Sequence, residues 1–468
     1  MTFNLKPFGA LLCATLLAVT CRADADDKTY THKQVVDDFE VLYQSLIDTH
    51  YNPYAYITEA ALKNKYLTLK QQLTAQSYPP LAAINVFQQL VASLNNGHTE
   101  IDFPAGPYVD YAEAGGTLFP LELVFEKGAA YVRADYSDNP KIAIGAELIA
   151  INGVPIADIL QQIYPLISAE RTYFKNAKLE VYTFPRYYWY AFGRQDNFTV
   201  SVRTENGLQS HQLTAIPVID GFEAKKDEIL RAQQELTFYP RAAYLNPGHF
   251  SGKLAQYQQF VDQAFQQINA AQVDNLIIDL RNNSGGDDAF SDYLVAYLAD
   301  KPFKWHAEFH LRSSALLKRD TEQKRDLTNP YWRSIMTHED GARYAFEFEP
   351  YTPVPEQQRY TGNVYVLVNR QSHSQASVTA AQIQDHGWGV VVGEETGDYP
   401  TLYASQFQYP LPNTGITVKI AKGYIVRVSG SEQQQGVVPD IAINDHLLDN
   451  EDEILQGLLQ RLNGEGGE

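Results

Sequence analysis

Apolar positions recur at helical spacing through the first part of the chain: Val35, Phe39, Leu42 and Leu46, then Leu62, Tyr66 and Leu69, then Ile84, Phe87, Leu90, Val91 and Leu94. This periodicity predicts a helical domain over residues 28–105, with the segment Asn95-Asn96-Gly97-His98-Thr99 near its end. Over residues 112–218 the pattern changes to short alternating runs, such as Phe119 to Phe125 and Phe198 to Val202, which predict a β-rich module. Inside it, Ile144 to Ile151 leads into an Asn152-Gly153 turn and then an amphipathic stretch from Ile156 to Ile163. Residues 219–240 are charged and read as a helical linker. Between 241 and 447, buried-type strands (Asn275 to Leu280, Val364 to Val368) alternate with helical patterns, which argues for a mainly parallel α/β core. Within that region Leu316 to Tyr360 is polar and irregular and reads as an insertion or surface loop. A C-terminal helix and tail occupy 448–468.

A chain of 468 residues is too long for one core. Its 56 acidic against 37 basic residues give a formal net charge of -19, which opposes nucleic acid and anionic lipid as partners. The first 25 residues have the layout of a signal peptide: Lys6, an apolar run from Phe8 to Thr20, and small residues through Ala23 and Ala25. An exported protein, periplasmic or secreted, is therefore expected, with lipid anchoring through Cys21 as the alternative. Cys13 and Cys21 both lie in this leader, so a chain cut after Ala23 or Ala25 has no disulfide and no thiol nucleophile. The run is too short for an integral membrane span, and none follows.

Two turns carry candidate chemistry. The strand Val364 to Val368 gives way at Arg370-Gln371-Ser372-His373-Ser374 to a helix, where free backbone N–H groups favour negative charge. Ser374 is placed there either as a nucleophile or as an ordinary N-cap. The strand ending Asp279-Leu280-Arg281 runs into Asn282-Asn283-Ser284-Gly285-Gly286, whose glycines permit close backbone approach to a ligand. No cofactor or metal is expected. His306 and His310 lack a third ligand signal and read as a strand face, and the aromatic run Tyr187 to Tyr190 reads as core packing.

Five landmarks follow one another: Asp279 to Gly286, the strand ending at Asn369 before Ser372 and Ser374, Val391 to Gly397, Leu411 to Gly415, and Gly436 to Ile441. In this order they resemble the tail-specific, or C-terminal processing, serine peptidases, whose relatives include the tricorn core protease and interphotoreceptor retinoid-binding protein. The resemblance extends upstream to the Gly97-His98-Thr99 element and to Phe119 through Ile163, which looks like a PDZ-like module. It implies a crotonase-like (ClpP-type) α/β catalytic domain over 241–447 with Ser374 as nucleophile. The implied oxyanion donors are backbone amides of Gln375 and of Gly285 or Gly286, and Arg281 is implied to be structural.

Many members use a Ser-Lys dyad, but the matching run here is Thr396-Gly397-Asp398-Tyr399-Pro400, and no lysine lies between Ser374 and Lys419. The tricorn-like, histidine-using branch implies His98 as base, with Glu432 the nearest carboxylate for a third role. His373, adjacent to the nucleophile, is expected to point away and line or pack. Ser377 stands where many relatives have glutamate. The expected function is peptide-bond hydrolysis on polypeptide or peptide substrates through an acyl-enzyme. The alternatives are a non-catalytic binder of apolar ligands or peptides on the same scaffold, and a hydrolase of small esters or cell-envelope peptides.

Overall fold

A computed structural model of the chain describes residues 29–137, 141–225 and 234–464, so the leader expected at the N-terminus lies outside the described residues. Among the described residues no helix is long and apolar enough to cross a membrane.

The helical periodicity becomes three packed helices, His32–Thr49, Glu59–Gln72 and Pro80–Ala92. Val35, Phe39, Leu42, Leu46, Leu62, Leu69, Phe87 and Leu90 are all buried in one cluster. A capping box at Thr31, reciprocated by Gln34, starts the first helix. The same cluster continues into a four-stranded antiparallel sheet formed by Arg343–Ala345, Glu308–Arg312, Thr417–Val426 and Leu402–Pro410. The helical domain is therefore welded to the outer face of the α/β region, and this seam brings His98 into position.

The module is a six-stranded antiparallel sheet whose main path runs from Leu121–Glu126 to Gly207–Thr214, with the helix Ile156–Ile163 packed on it. Asn152 (φ 50°) and Gly153 (φ 77°) form the turn their types predict. The central sheet has the order Glu235–Tyr239, Ala242–Asn246, Asn275–Asp279, Asn363–Val368, Val390–Gly393 and Ile441–Ala442, all parallel after the first pair. The helix Glu453–Gly464 covers one face through Ile454, Leu455 and Leu458.

Two regions differ from the expectation. Glu235–Tyr239, at the end of the segment read as a helical linker, is an edge strand paired antiparallel with Ala242–Asn246. Five alternating residues after a charged run carry too little periodicity to separate strand from helix. The polar span 316–360 contains the helix Pro330–Thr337, most of the helix Ala315–Lys324 and the strand Arg343–Ala345. Each of its helices buries only one or two residues, so the apolar repeat that marks a helix in sequence is faint.

Candidate active site

The strand Asn363–Val368 is buried along its last three residues, and the helix Gln375–Asp385 begins seven residues later. Ser374 sits at the N-cap position but makes no side-chain cap bond, so it is not an ordinary capping serine. Its backbone has φ 53° and ψ -127°, a conformation costing on the order of 1–3 kcal/mol for a residue with a side chain. That backbone directs the hydroxyl outward: Ser374 Oγ lies 2.9 Å from His98 Nε2. The Ser374 amide donates to Asp398 Oδ2 at 2.8 Å, which holds the strained turn in place.

The glycine turn packs against this serine. A Cβ at Gly285 (φ +78°) would stand 2.6 Å from the Gln375 nitrogen and 2.7 Å from Ser374 Cβ. One at Gly286 (φ +140°) would stand 1.9 Å from the Phe250 carbonyl oxygen, so neither position admits a side chain. The two glycines differ in what their amides do. The Gly285 N–H donates to Asn283 Oδ1 at 2.8 Å, which commits it to the turn itself. Gly286 and Gln375 both line the cleft beside Ser374 and His98, and their amides are not so engaged among the described residues.

His98 comes from the opposite side, carried by the loop after the helix Pro80–Ala92. Antiparallel pairing of Glu100 with Lys419 (3.0 and 2.9 Å) and a bond from the Ala421 amide to Thr99 Oγ1 (3.0 Å) stitch this loop to the outer sheet. Gln406 Nε2 donates to the His98 carbonyl at 3.0 Å. Glu170, which sequence reasoning missed, braces the same loop: its Oε1 accepts from the Gly97 amide at 2.7 Å and from Asn96 Nδ2 at 3.1 Å. Its Oε2 would be 3.1 Å from a Cβ at position 97, so the carboxylate fills the space a side chain there would take. Both Glu170 Oε2 and His98 Nδ1 are buried and without a hydrogen-bond partner among the described residues.

Electrostatics follow from this burial. Removal from water holds His98 below its ordinary value of 6.5, and the Glu170 carboxylate opposes that shift. Burial raises Glu170, with Asp398 adding to the effect and the Gly97 amide opposing it. Asp398 is pushed up to about 6 by burial, against the pull of the Ser374 amide and Lys178. Burial thus favours the neutral form of the His98 ring, the form able to accept a proton.

The remaining residues singled out in the sequence fall as follows. Glu432 is exposed and accepts from Tyr424 Oη at 2.7 Å; the structure does not bring it to the His98 ring, whose neighbouring carboxylates are Asp398, Glu170 and Glu100. His373 does not turn away: its ring centroid lies 4.9 Å from that of His98 and 5.0 Å from that of Phe174. Ser377 Oγ donates to the Ser372 carbonyl at 2.9 Å inside the turn. Arg281 is bound by Asp279 and Asp452. Lys419 is held by Asp102 at 2.5 Å and Glu100 at 3.6 Å. His306 is buried among Trp305, Phe309 and Phe348, and His310 bonds Glu308 at 2.7 Å. Tyr188, Trp189 and Tyr190 are buried. Asp398 lies in the very run where the dyad lysine would fall, a signal the sequence did contain; Glu170 has none, being an isolated acid inside the module just before the helix Thr172–Leu179.

Ser374 and His98 open into a cleft of about 750 Å³. Its far wall is aromatic, with Trp305, Phe309, Tyr331, Trp332, Phe346 and Phe348, and most of these come from the polar span 316–360 and its flank.

Residues 241–443, which contain Ser374 and both glycine turn residues, match the model of peptidase family S41. The tail-specific protease of Haemophilus influenzae is 27% identical over 190 residues, covering 39% of this chain; the chain spans 22% of that relative's length. Among solved structures, mature CPAF complexed with lactacystin has a TM-score of 0.64 at 16% identity, covering 92% of this chain and 97% of that one. Mature CPAF gives 0.61 at 17% identity, covering 88% and 92%. At these identities the likeness is one of fold, and it runs through the helical domain and the module as well as the α/β region. The region that carries Ser374 and the glycine turn is thus the region that matches peptidase family S41, and part of the chain is similar in sequence to a tail-specific protease.

Proposed function

We propose that this chain is a serine peptidase that hydrolyses peptide bonds of exported proteins or peptides through an acyl-enzyme on Ser374. The observation that carries the reading is the 2.9 Å approach of His98 Nε2 to a serine hydroxyl that its own backbone withholds from capping. His98 takes the Ser374 proton as Oγ adds to the scissile carbonyl, and the Gln375 and Gly286 amides receive the oxyanion. The imidazolium then gives its proton to the leaving amine, and the same ring activates water for deacylation.

In this reading Glu170, rather than Glu432, is the carboxylate that supports the imidazolium. Its negative charge opposes the burial of a cation at His98, and its hydrogen bonds to Gly97 and Asn96 fix where the ring stands. The region 241–447 acts as a crotonase-like catalytic domain and 112–218 as a PDZ-like module that holds an extended peptide by strand addition. The aromatic wall of the cleft suits a substrate with a large apolar side chain near the scissile bond.

Hydrolysis of a panel of unstructured peptides by the wild-type chain, abolished in Ser374→Ala with its fold intact, is the expected result. Unchanged hydrolysis in that variant overturns the assignment. No hydrolysis by the wild type, together with tight capture of an apolar ligand, points instead to the binding-protein alternative.

A further inference from the structure

Three ligand-type atoms converge beside the nucleophile. His98, His373 and Asp398 each offer one ligand atom, and these atoms all lie within 4.8 Å of one another. The two imidazole nitrogens are 3.9 Å and 3.4 Å from the same carboxylate oxygen. Ligand bonds of about 2.0–2.2 Å in a tetrahedron set edges of roughly 3.3–3.6 Å, so these two nitrogen–oxygen separations are close to the edges of one ion's shell. His373 Nε2 is buried with no hydrogen-bond partner among the described residues, an unusual state for a ring nitrogen aimed at a carboxylate.

From this geometry we propose that His98, His373 and Asp398 form a binding site for a first-row transition-metal dication such as zinc, and that filling it switches the peptidase off. Two imidazoles and one carboxylate are a donor set that suits such an ion. The inhibitory consequence rests on the peptidase reading; the binding does not. One lone pair decides the outcome. The Nε2 pair of His98 that accepts the Ser374 proton is the pair the metal would take, so coordination and proton abstraction exclude each other. The surrounding charges are mixed: Glu170 favours the ion, while Lys178 and Arg171 oppose it. Access exists from two sides, because His98 lines the main cleft and His373 lines a second cavity of about 360 Å³. Both cysteines belong to the first 28 residues, so no thiol competes within the described region.

The test titrates the purified chain with Co2+ and then Zn2+. One equivalent of Co2+ is expected to bind with the visible absorption of a four- or five-coordinate site, to be displaced by Zn2+, and to do the same in Ser374→Ala, which keeps all three ligands and needs no turnover. His373→Asn is expected to weaken binding at least 100-fold. Zinc K-edge absorption on the wild type, expected to read two imidazoles in the shell, makes the test independent of whether that variant folds. Turnover of the wild type is expected to fall to near zero at one equivalent of Zn2+ and to return with a chelator. Absence of stoichiometric binding, undiminished affinity in folded His373→Asn, a shell without imidazole, or turnover that rises with zinc overturns the proposal. Binding without any peptidase activity at any zinc level removes the proposed function and leaves the metal site standing.

Discussion

The two halves of the candidate site are built in opposite ways. The nucleophile half is local: a buried strand, a strained serine and a helix start within one stretch, with the glycine turn of the neighbouring parallel strand packed beneath. The base half is assembled over long distances, from His98 on a loop of the helical domain, Glu170 within the module and Asp398 after the strand Val390–Gly393. Backbone geometry, fixed by the Asp398 bond to the Ser374 amide, holds the first half, whereas hydrogen bonds between separate segments alone hold the second. The nucleophile half is therefore expected to tolerate no added atoms, and the base half to fail by degrees as its braces are removed.

The largest effects are expected at the reacting pair. Ser374→Ala and His98→Ala should each lower kcat by about 10^4-fold or more, and combining them should add little, because the two act as one unit. Additive losses measured in a double-mutant cycle would break the pairing of the two halves. Next comes Gly285→Ala, whose Cβ must push into the Gln375 amide and Ser374 Cβ. Turnover is expected to drop by about 10^2 to 10^3, the scale of a displaced oxyanion donor, with a loss of roughly 1–3 kcal/mol in denaturant unfolding. Wild-type activity in this variant would show that the turn is looser than its packing implies.

Glu170→Gln distinguishes the base half. Removing a charge that raises the His98 pKa lowers that pKa further, so the acidic limb of kcat/KM should move to lower pH while kcat falls about tenfold. A purely structural role would reduce activity without moving the limb. In the wild type the limb is expected below 6.5, since His98 must be neutral to act and burial favours that form. The smallest effect is expected for Glu432→Gln: exposed and bound to Tyr424, it should change kcat/KM by less than about twofold. A large loss there would restore Glu432 to the relay and displace Glu170.

The same division sets how much was legible in the sequence. Strand ends, glycines with positive φ and the serine at a helix start leave marks within a few residues of each other, and the helices through Val35 to Leu94 announced themselves by their buried stripe. His98 was legible only through its Gly-His-Thr neighbours in a family pattern. Glu170 leaves no mark, because its partners Gly97 and Asn96 lie more than seventy residues away and any acid in a loop looks solvated. Asp398 was visible only as a member of the run that lacks the lysine, and its bond to an amide 24 positions earlier is not revealed by spacing. The cleft wall was hidden for another reason. Tyr331, Trp332, Phe346 and Phe348 face a cavity from short, mostly exposed elements, so their polar neighbours masked them as a surface loop.

The central claim is that His98 activates Ser374 across these two halves. It is tested most directly by treating the wild type, His98→Ala and Ser374→Ala with a fluorophosphonate and mapping the adduct by mass spectrometry. One adduct on the peptide containing Ser374 in the wild type, lost in both variants, is the predicted result. An adduct elsewhere, or one that forms at an undiminished rate in folded His98→Ala, would contradict it.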